Sequence, residues 1–135
     1  MNIEAFLLCD AATDQQGKLN ILGAFDAIYV REMPYKHPAC AIAIRIRFEK
    51  IEKGIHPFRI VIIDEDGNYL GPRLDGNCEV QSPNNFESTV SNFILNIQGL
   101  DLKKYGKYRV DFAMDGQIKA SLPFNVAGTP TQPQL

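Results

Sequence analysis

The chain has 135 residues, of which 45% are hydrophobic and 22% charged, and its net charge is −2. That length suits one domain, burying roughly two-thirds of the surface its unfolded chain exposes, so no metal or disulfide is required to hold a core. Acids and bases are mixed along the chain, which removes the electrostatic basis for nucleic-acid binding, and the apolar run Ala5–Cys9 is too short for a signal peptide or a transmembrane segment.

In chain order the dominant period is two. Ile3 to Ala12 reads as a first strand, closed by the turn Gln15-Gln16-Gly17-Lys18. Leu19 to Val30 reads as one long second strand, with Gly23 as a bulge or kink. After a loop, Arg31 to Pro38, the residues Ile42, Ile44, Ile46 and Phe48 alternate with Ala43, Arg45, Arg47 and Glu49. One face of that strand goes to a core and the other meets water. Phe58, Ile60 and Ile62 alternate with Arg59, Val61 and Ile63, so this strand ends apolar on both faces and is expected to be central.

Asp64-Glu65-Asp66-Gly67 opens a long loop reaching Gly76, followed by a short edge strand, Cys78 to Gln81. Phe86 to Gln98 and Tyr108 to Met114 are further strands, with a helical turn expected near Leu100–Tyr105. Asp115-Gly116 turns into a last strand, Ile118 to Val126. About eight strands at this spacing predict an all-β fold, a two-sheet antiparallel β-sandwich of Greek-key type, over residues 1–126. Residues 127–135, with Pro130 and Pro133, read as a flexible tail.

Two segments carry a resemblance. They are Leu7-Leu8-Cys9-Asp10 with Gly17-Lys18-Leu19 and Ile21-Leu22-Gly23-Ala24-Phe25-Asp26-Ala27-Ile28, and Ile60-Val61-Ile62-Ile63 with Asp64-Glu65-Asp66-Gly67. Together they resemble an uncharacterised bacterial family, a domain of unknown function, over nearly the whole chain. That resemblance implies a bacterial β-sandwich and no activity. A looser likeness runs from Asp101 to Val110, which resembles the entry to a late strand in immunoglobulin-like or C2-like sandwiches. It implies a tyrosine corner at Tyr108. The chain has no Trp and no disulfide pair at the antibody positions, so an antibody-type domain is not implied.

No catalytic constellation emerges. The two histidines, His37 and His56, stand beside prolines with no Gly-x-Ser-x-Gly elbow anywhere, and both read as surface residues. Cys9, Cys40 and Cys78 are odd in number and widely spaced, so they read as reduced packing residues of a cytoplasmic protein. His37 and Cys40, three apart, are half a zinc site at most, and a structural site needs four ligands. Gly67, Gly71 and Gly76 open no helix, so no phosphate-binding loop and no cofactor is expected.

If successive strands alternate direction, the connections 31–38, 64–76 and 99–106 share one end. Those connections hold Tyr35, Tyr69 and Tyr105, with Asp64 and Asp66. Tyrosines within a mixed charged rim suit a recognition surface, and they equally suit capping the end of a core. The expectation is a non-enzymatic protein-interaction or assembly module, binding another protein or a second copy through an edge strand. Two alternatives stand beside it. One is a calcium- or small-ligand-binding C2-like domain, in which Asp64 and Asp66 hold a cation rather than only shaping a turn. The other is an enzyme acting through carboxylates alone.

Overall fold

Alternating apolar and polar side chains bury their hydrophobic half when strands lie side by side with one face inward. The structure, a computed structural model, describes residues 1–81 and 85–130. Nine strands lie among them: β1 (Asn2–Gln15), β2 (Lys18–Phe25), β3 (Ala27–Val30), β4 (Tyr35–Glu49), β5 (Gly54–Asp64), β6 (Tyr69–Val80), β7 (Ser88–Leu102), β8 (Gly106–Met114) and β9 (Gln117–Gly128). They form two sheets, ordered β2-β1-β4-β7 and β3-β9-β8-β5-β6. The fold is thus the all-β two-sheet sandwich that the period of two implied.

Ile42, Ile44, Ile46 and Phe48 of β4 are fully buried against Ile60, Ile62, Val110, Phe112 and Phe124 of the opposite sheet. Each such side chain contributes on the order of 1.5–3 kcal/mol by leaving water. Phe58 of β5 and Phe93 of β7 meet edge to face across the layers, their centroids 4.8 Å apart. β5 lies between β8 and β6, an interior strand as its apolar end implied.

Several expectations are corrected. The long second strand is two strands in different sheets, which raises the count from eight to nine. The break is at Asp26, whose carbonyl accepts the Asn125 N–H at 2.9 Å and hands the chain from β1 to β9. The β3–β9 pair is parallel, the one departure from antiparallel pairing among the described residues. That pairing carries β9 two residues past Val126, through Ala127 and Gly128, into what reads as tail; residues 131–135 lie outside the described residues.

The expected long loop from Asp64 to Gly76 is mostly strand, because Gly71, Pro72 and Gly76 lie within edge strand β6. Gly76 answers to space: a Cβ there would stand 3.1 Å from the Phe58 ring. The helical turn near Leu100 does not form. β7 continues to Leu102 because Leu100 and Leu102 are core residues paired with His37 and Tyr35.

The outer face of β4 also differs. Ala43, expected to face water, is fully buried together with Cys9 and Ala41. Cys9 and Ala12, three positions apart, share this second cluster with Leu19, Ile21 and Ile94, so the alternation of β1 reverses between them. Opposite that reversal Gly23 has φ 68°, and a Cβ on it would lie 2.4 Å from Asp10 Oδ2. Only glycine suits such a site. Beyond it the β1–β2 hairpin folds over its own sheet and reaches past β4 to β7. Asn92 of β7 donates to Asp14 Oδ2 at 3.2 Å and to the Gly17 carbonyl at 3.1 Å, and Arg45 donates to the same carbonyl at 3.2 Å. Alanines let the hairpin lie close. Ala43→Leu is therefore expected to overpack this seam and lower stability by about 1–3 kcal/mol, read as a lower denaturant midpoint; an unchanged midpoint would show the seam to be slack.

His56 at the start of β5 faces two acceptors. Nε2 meets the Glu52 carbonyl at 2.6 Å and Nδ1 meets the Asp115 carboxylate at 2.9 Å, while the ring stacks on Phe48. Both ring nitrogens donate only in the imidazolium, whose charge also suits an aromatic face. The Glu52 carbonyl, and after it the Asp115 carboxylate, raises the pKa above the ordinary 6.5. A raised folded-state value means the stabilisation is complete below the unfolded value and is lost as pH rises through the folded one. Denaturation midpoints measured from pH 5 to pH 9 should fall across that window in the parent chain and stay flatter in His56→Gln.

Candidate functional site

The sequence placed its candidate residues at one end of the sandwich, and three connections do meet there. Asp64 closes β5 with its carboxylate turned back into its own turn. It accepts the N–H groups of Asp66 and Asn68, each at 2.9 Å, and the Asn68 side-chain amide at 3.2 Å. The Asn68 backbone N–H is the largest influence holding this carboxyl below the usual carboxylate range. Lys104, from the β7–β8 connection, ion-pairs with Asp66 and stands 3.6 Å from Asp64. A cation bridging Asp64 and Asp66 would have to displace that ammonium, so the geometry favours the turn role.

The three tyrosines have separate tasks. Tyr105 donates its hydroxyl to the Val30 carbonyl at 3.0 Å, tying the β7–β8 connection to the end of β3. Tyr69 is exposed, with the Arg73 guanidinium 5.3 Å from its ring centre. Tyr35 turns instead into a pocket at the β2–β3 corner, with its ring 6.0 Å from His37. Among the described residues no hydrogen bond or ring contact joins the three to one another. Tyr108 makes the back-bond expected of a tyrosine corner, its hydroxyl donating to the Lys104 carbonyl at 2.5 Å. Tyr108→Phe should lower stability by about 1 kcal/mol, checked by guanidinium unfolding; no change would make the corner dispensable.

The pocket at the β2–β3 corner has a volume of about 420 Å³ and is lined by Asp10, Phe25, Tyr29, Tyr35 and His37, with small residues between. None of its polar side chains, Asp10, Tyr29, Tyr35 and His37, makes a hydrogen bond among the described residues. Both ring nitrogens of His37 are buried and make no hydrogen bond, and the Asp10 carboxylate is neither hydrogen-bonded nor ion-paired among the described residues. Burial lowers the His37 pKa, outweighing the upward pull of Asp10, so the ring is neutral at pH 7. Buried polar groups left unsatisfied are rare in folded proteins, which singles out His37, whereas Asp10 is exposed and open to water.

Sequence reading placed His37 on the surface and gave Asp10 no role, for one shared reason. Counting back by twos from Ala41 puts His37 on the outer face. The β4–β7 ladder skips the Pro38–Gly99 position, where Gly99 has φ 70°, and before it Tyr35 and His37 oppose the core residues Leu102 and Leu100. The available signal was Pro38 inside an apolar run, which marks an irregular strand position.

The remaining chemistry is quiet. Burial pushes the Cys40 thiol up to about 11 and raises Cys9 and Cys78 as well, the wrong direction for nucleophiles. Among the described residues no group of three or more His, Cys, Asp or Glu side chains could hold a metal ion, and no helix is long and apolar enough to cross a membrane.

The fold and pocket define a two-sheet β-sandwich with a partly polar, aromatic-lined recess at one sheet corner. A family of unknown function, DUF6941, matches residues 4–127, and the chain belongs to that family. No curated protein matches it.

Proposed function

We propose that this protein is a non-enzymatic interaction module that receives a protein partner along its β2–β3 edge. The observation that carries the reading is the meeting of an unpaired carboxylate, Asp10, and an unpartnered imidazole, His37, in an aromatic-lined pocket beside a free strand edge. Leu22 and Tyr29 stand out from that edge, 70% and 57% exposed. Exposed edges invite pairing with another chain, and proteins blunt the edges they do not use. β6, the edge opposite β3 in the five-stranded sheet, carries Pro72, Arg73, Asp75 and Glu79. β2 carries one charge, Lys18, in eight residues, and β7, the other edge of its own sheet, carries one in fifteen, Asp101. An extended partner segment added to β2 would gain main-chain hydrogen bonds and lay its side chains against the pocket.

The strand order supports an immunoglobulin-like description of the scaffold. β9-β8-β5-β6 follows the G-F-C-C′ order of such domains, β4 and β7 occupy the B and E places, and Tyr108 sits at the E–F corner. β1 is then an additional strand between β2 and β4. Three free, buried thiols favour a reducing compartment, which supports a cytoplasmic reading.

The test is capture from a native extract of the source cells. A protein retained by the parent chain should be lost with the doubly substituted edge, Leu22→Lys with Tyr29→Ala, and kept with Tyr69→Ala. Both edge side chains are exposed, so folding is not at stake. Retention by the edge variant, or no retained protein at all, would overturn the interaction reading.

A further inference from the structure

The pocket's composition narrows what it accepts. Its walls include the side chains of Phe25, Tyr29, Tyr35 and His37, and Phe25 and Tyr35 each stand about 6 Å from the imidazole, at 6.1 and 6.0 Å between ring centres. Aromatic faces carry negative electrostatic potential and attract organic cations, most strongly where water is excluded. The one formally charged lining residue is Asp10, and no Lys or Arg lines the pocket. Among the described residues the carboxylate has no partner to give up, so pairing it costs none of their interactions. Long cationic side chains also pair an apolar stem with a charged head, matching apolar walls with an acid at the rim. The recess lies where the chain crosses from β2 to β3, so a strand added to β2 passes its mouth.

We propose that the pocket is a specificity site for the cationic side chain, arginine or lysine, of an extended partner segment, its stem against Phe25, Tyr29 and Tyr35 and its head paired with Asp10. This rests on the interaction reading above and adds the chemistry of the residue recognised. Charge complementarity selects the occupant, since a cationic head pairs with Asp10 at the rim while an apolar side chain gains no such contact.

The experiment is a nuclear magnetic resonance titration of the isotope-labelled chain with blocked tripeptides, Val-Arg-Val and Val-Lys-Val. Their neutral counterparts carry citrulline or norleucine at the centre. The expected result is saturable shifts centred on Ala24, Tyr29 and Tyr35 with a cationic peptide, and affinity about tenfold weaker for the neutral ones. Asp10→Asn, an exposed substitution that leaves the spectrum otherwise superimposable, should weaken cationic binding by a similar factor. Equal binding of the neutral peptides, unchanged affinity in Asp10→Asn, or no saturable shift with any peptide overturns the proposal. The two readings fail separately. A cationic peptide that binds while extract capture ignores the edge substitutions removes the protein partner and keeps the pocket chemistry. Edge-dependent capture with no charge preference does the reverse.

Discussion

The inner face of β4 is the surface on which both layers depend. Its four side chains, Ile42, Ile44, Ile46 and Phe48, are shut off from water, and all five strands of the opposite sheet send residues into the same cluster. Packing at crystal-like density leaves little freedom in how the second sheet sits. β4 is also the one strand paired along most of its length on β7 and over its middle on β1, so it fixes register on both sides. The outer alanines of the same strand, Ala41 and Ala43, set how closely the β1–β2 hairpin folds back. One alternating segment thus specifies a large core on one face and a thin seam on the other.

Two breaks in alternation create the candidate site. At Asp10 and Gly23 the first hairpin bends away across its own sheet, and at Pro38 and Gly99 the β4–β7 ladder reverses its faces. The first break leaves the Asp10 carboxylate at the corner, and the second turns His37 and Tyr35 inward to meet it. The handover at Asp26 then lays β3 along the other side of the recess. The pocket is a product of irregularities that a perfectly regular sandwich would lack.

Polar groups elsewhere show how fully this fold satisfies what it buries. Asp64 accepts three hydrogen bonds from its own turn. Asp111, nearly inaccessible on the outer face of β8, is held by Arg109 at 3.0 Å and by the Ser121 hydroxyl at 2.6 Å. His56 finds an acceptor for each nitrogen. Against that background the partnerless nitrogens of His37 are an exception, since leaving a buried donor or acceptor unmet costs on the order of 1–3 kcal/mol. Among the described residues the other buried side-chain polar atoms find partners, and a binding role explains why His37 does not.

The sequence by itself determined most of the strands and turns. Period-two patterning is local, and Ile42 to Phe48 or Tyr108 to Met114 has no other way to bury one face. Strand direction also implied that three connections share an end, while the back-bond of Tyr108 was implied only by the likeness to immunoglobulin-like sandwiches. The tertiary structure decided what depends on a partner far along the chain. Asp26 ends a strand only because Asn125 meets its carbonyl, and Gly71, Pro72 and Gly76 sit in a strand only because β5 is there to pair with them. His37 changes faces at a ladder break involving Gly99, 62 positions later (99 − 37). Alternation predicts which face a side chain takes while the strand stays regular, and the binding corner lies where that regularity is broken by contacts distant in sequence.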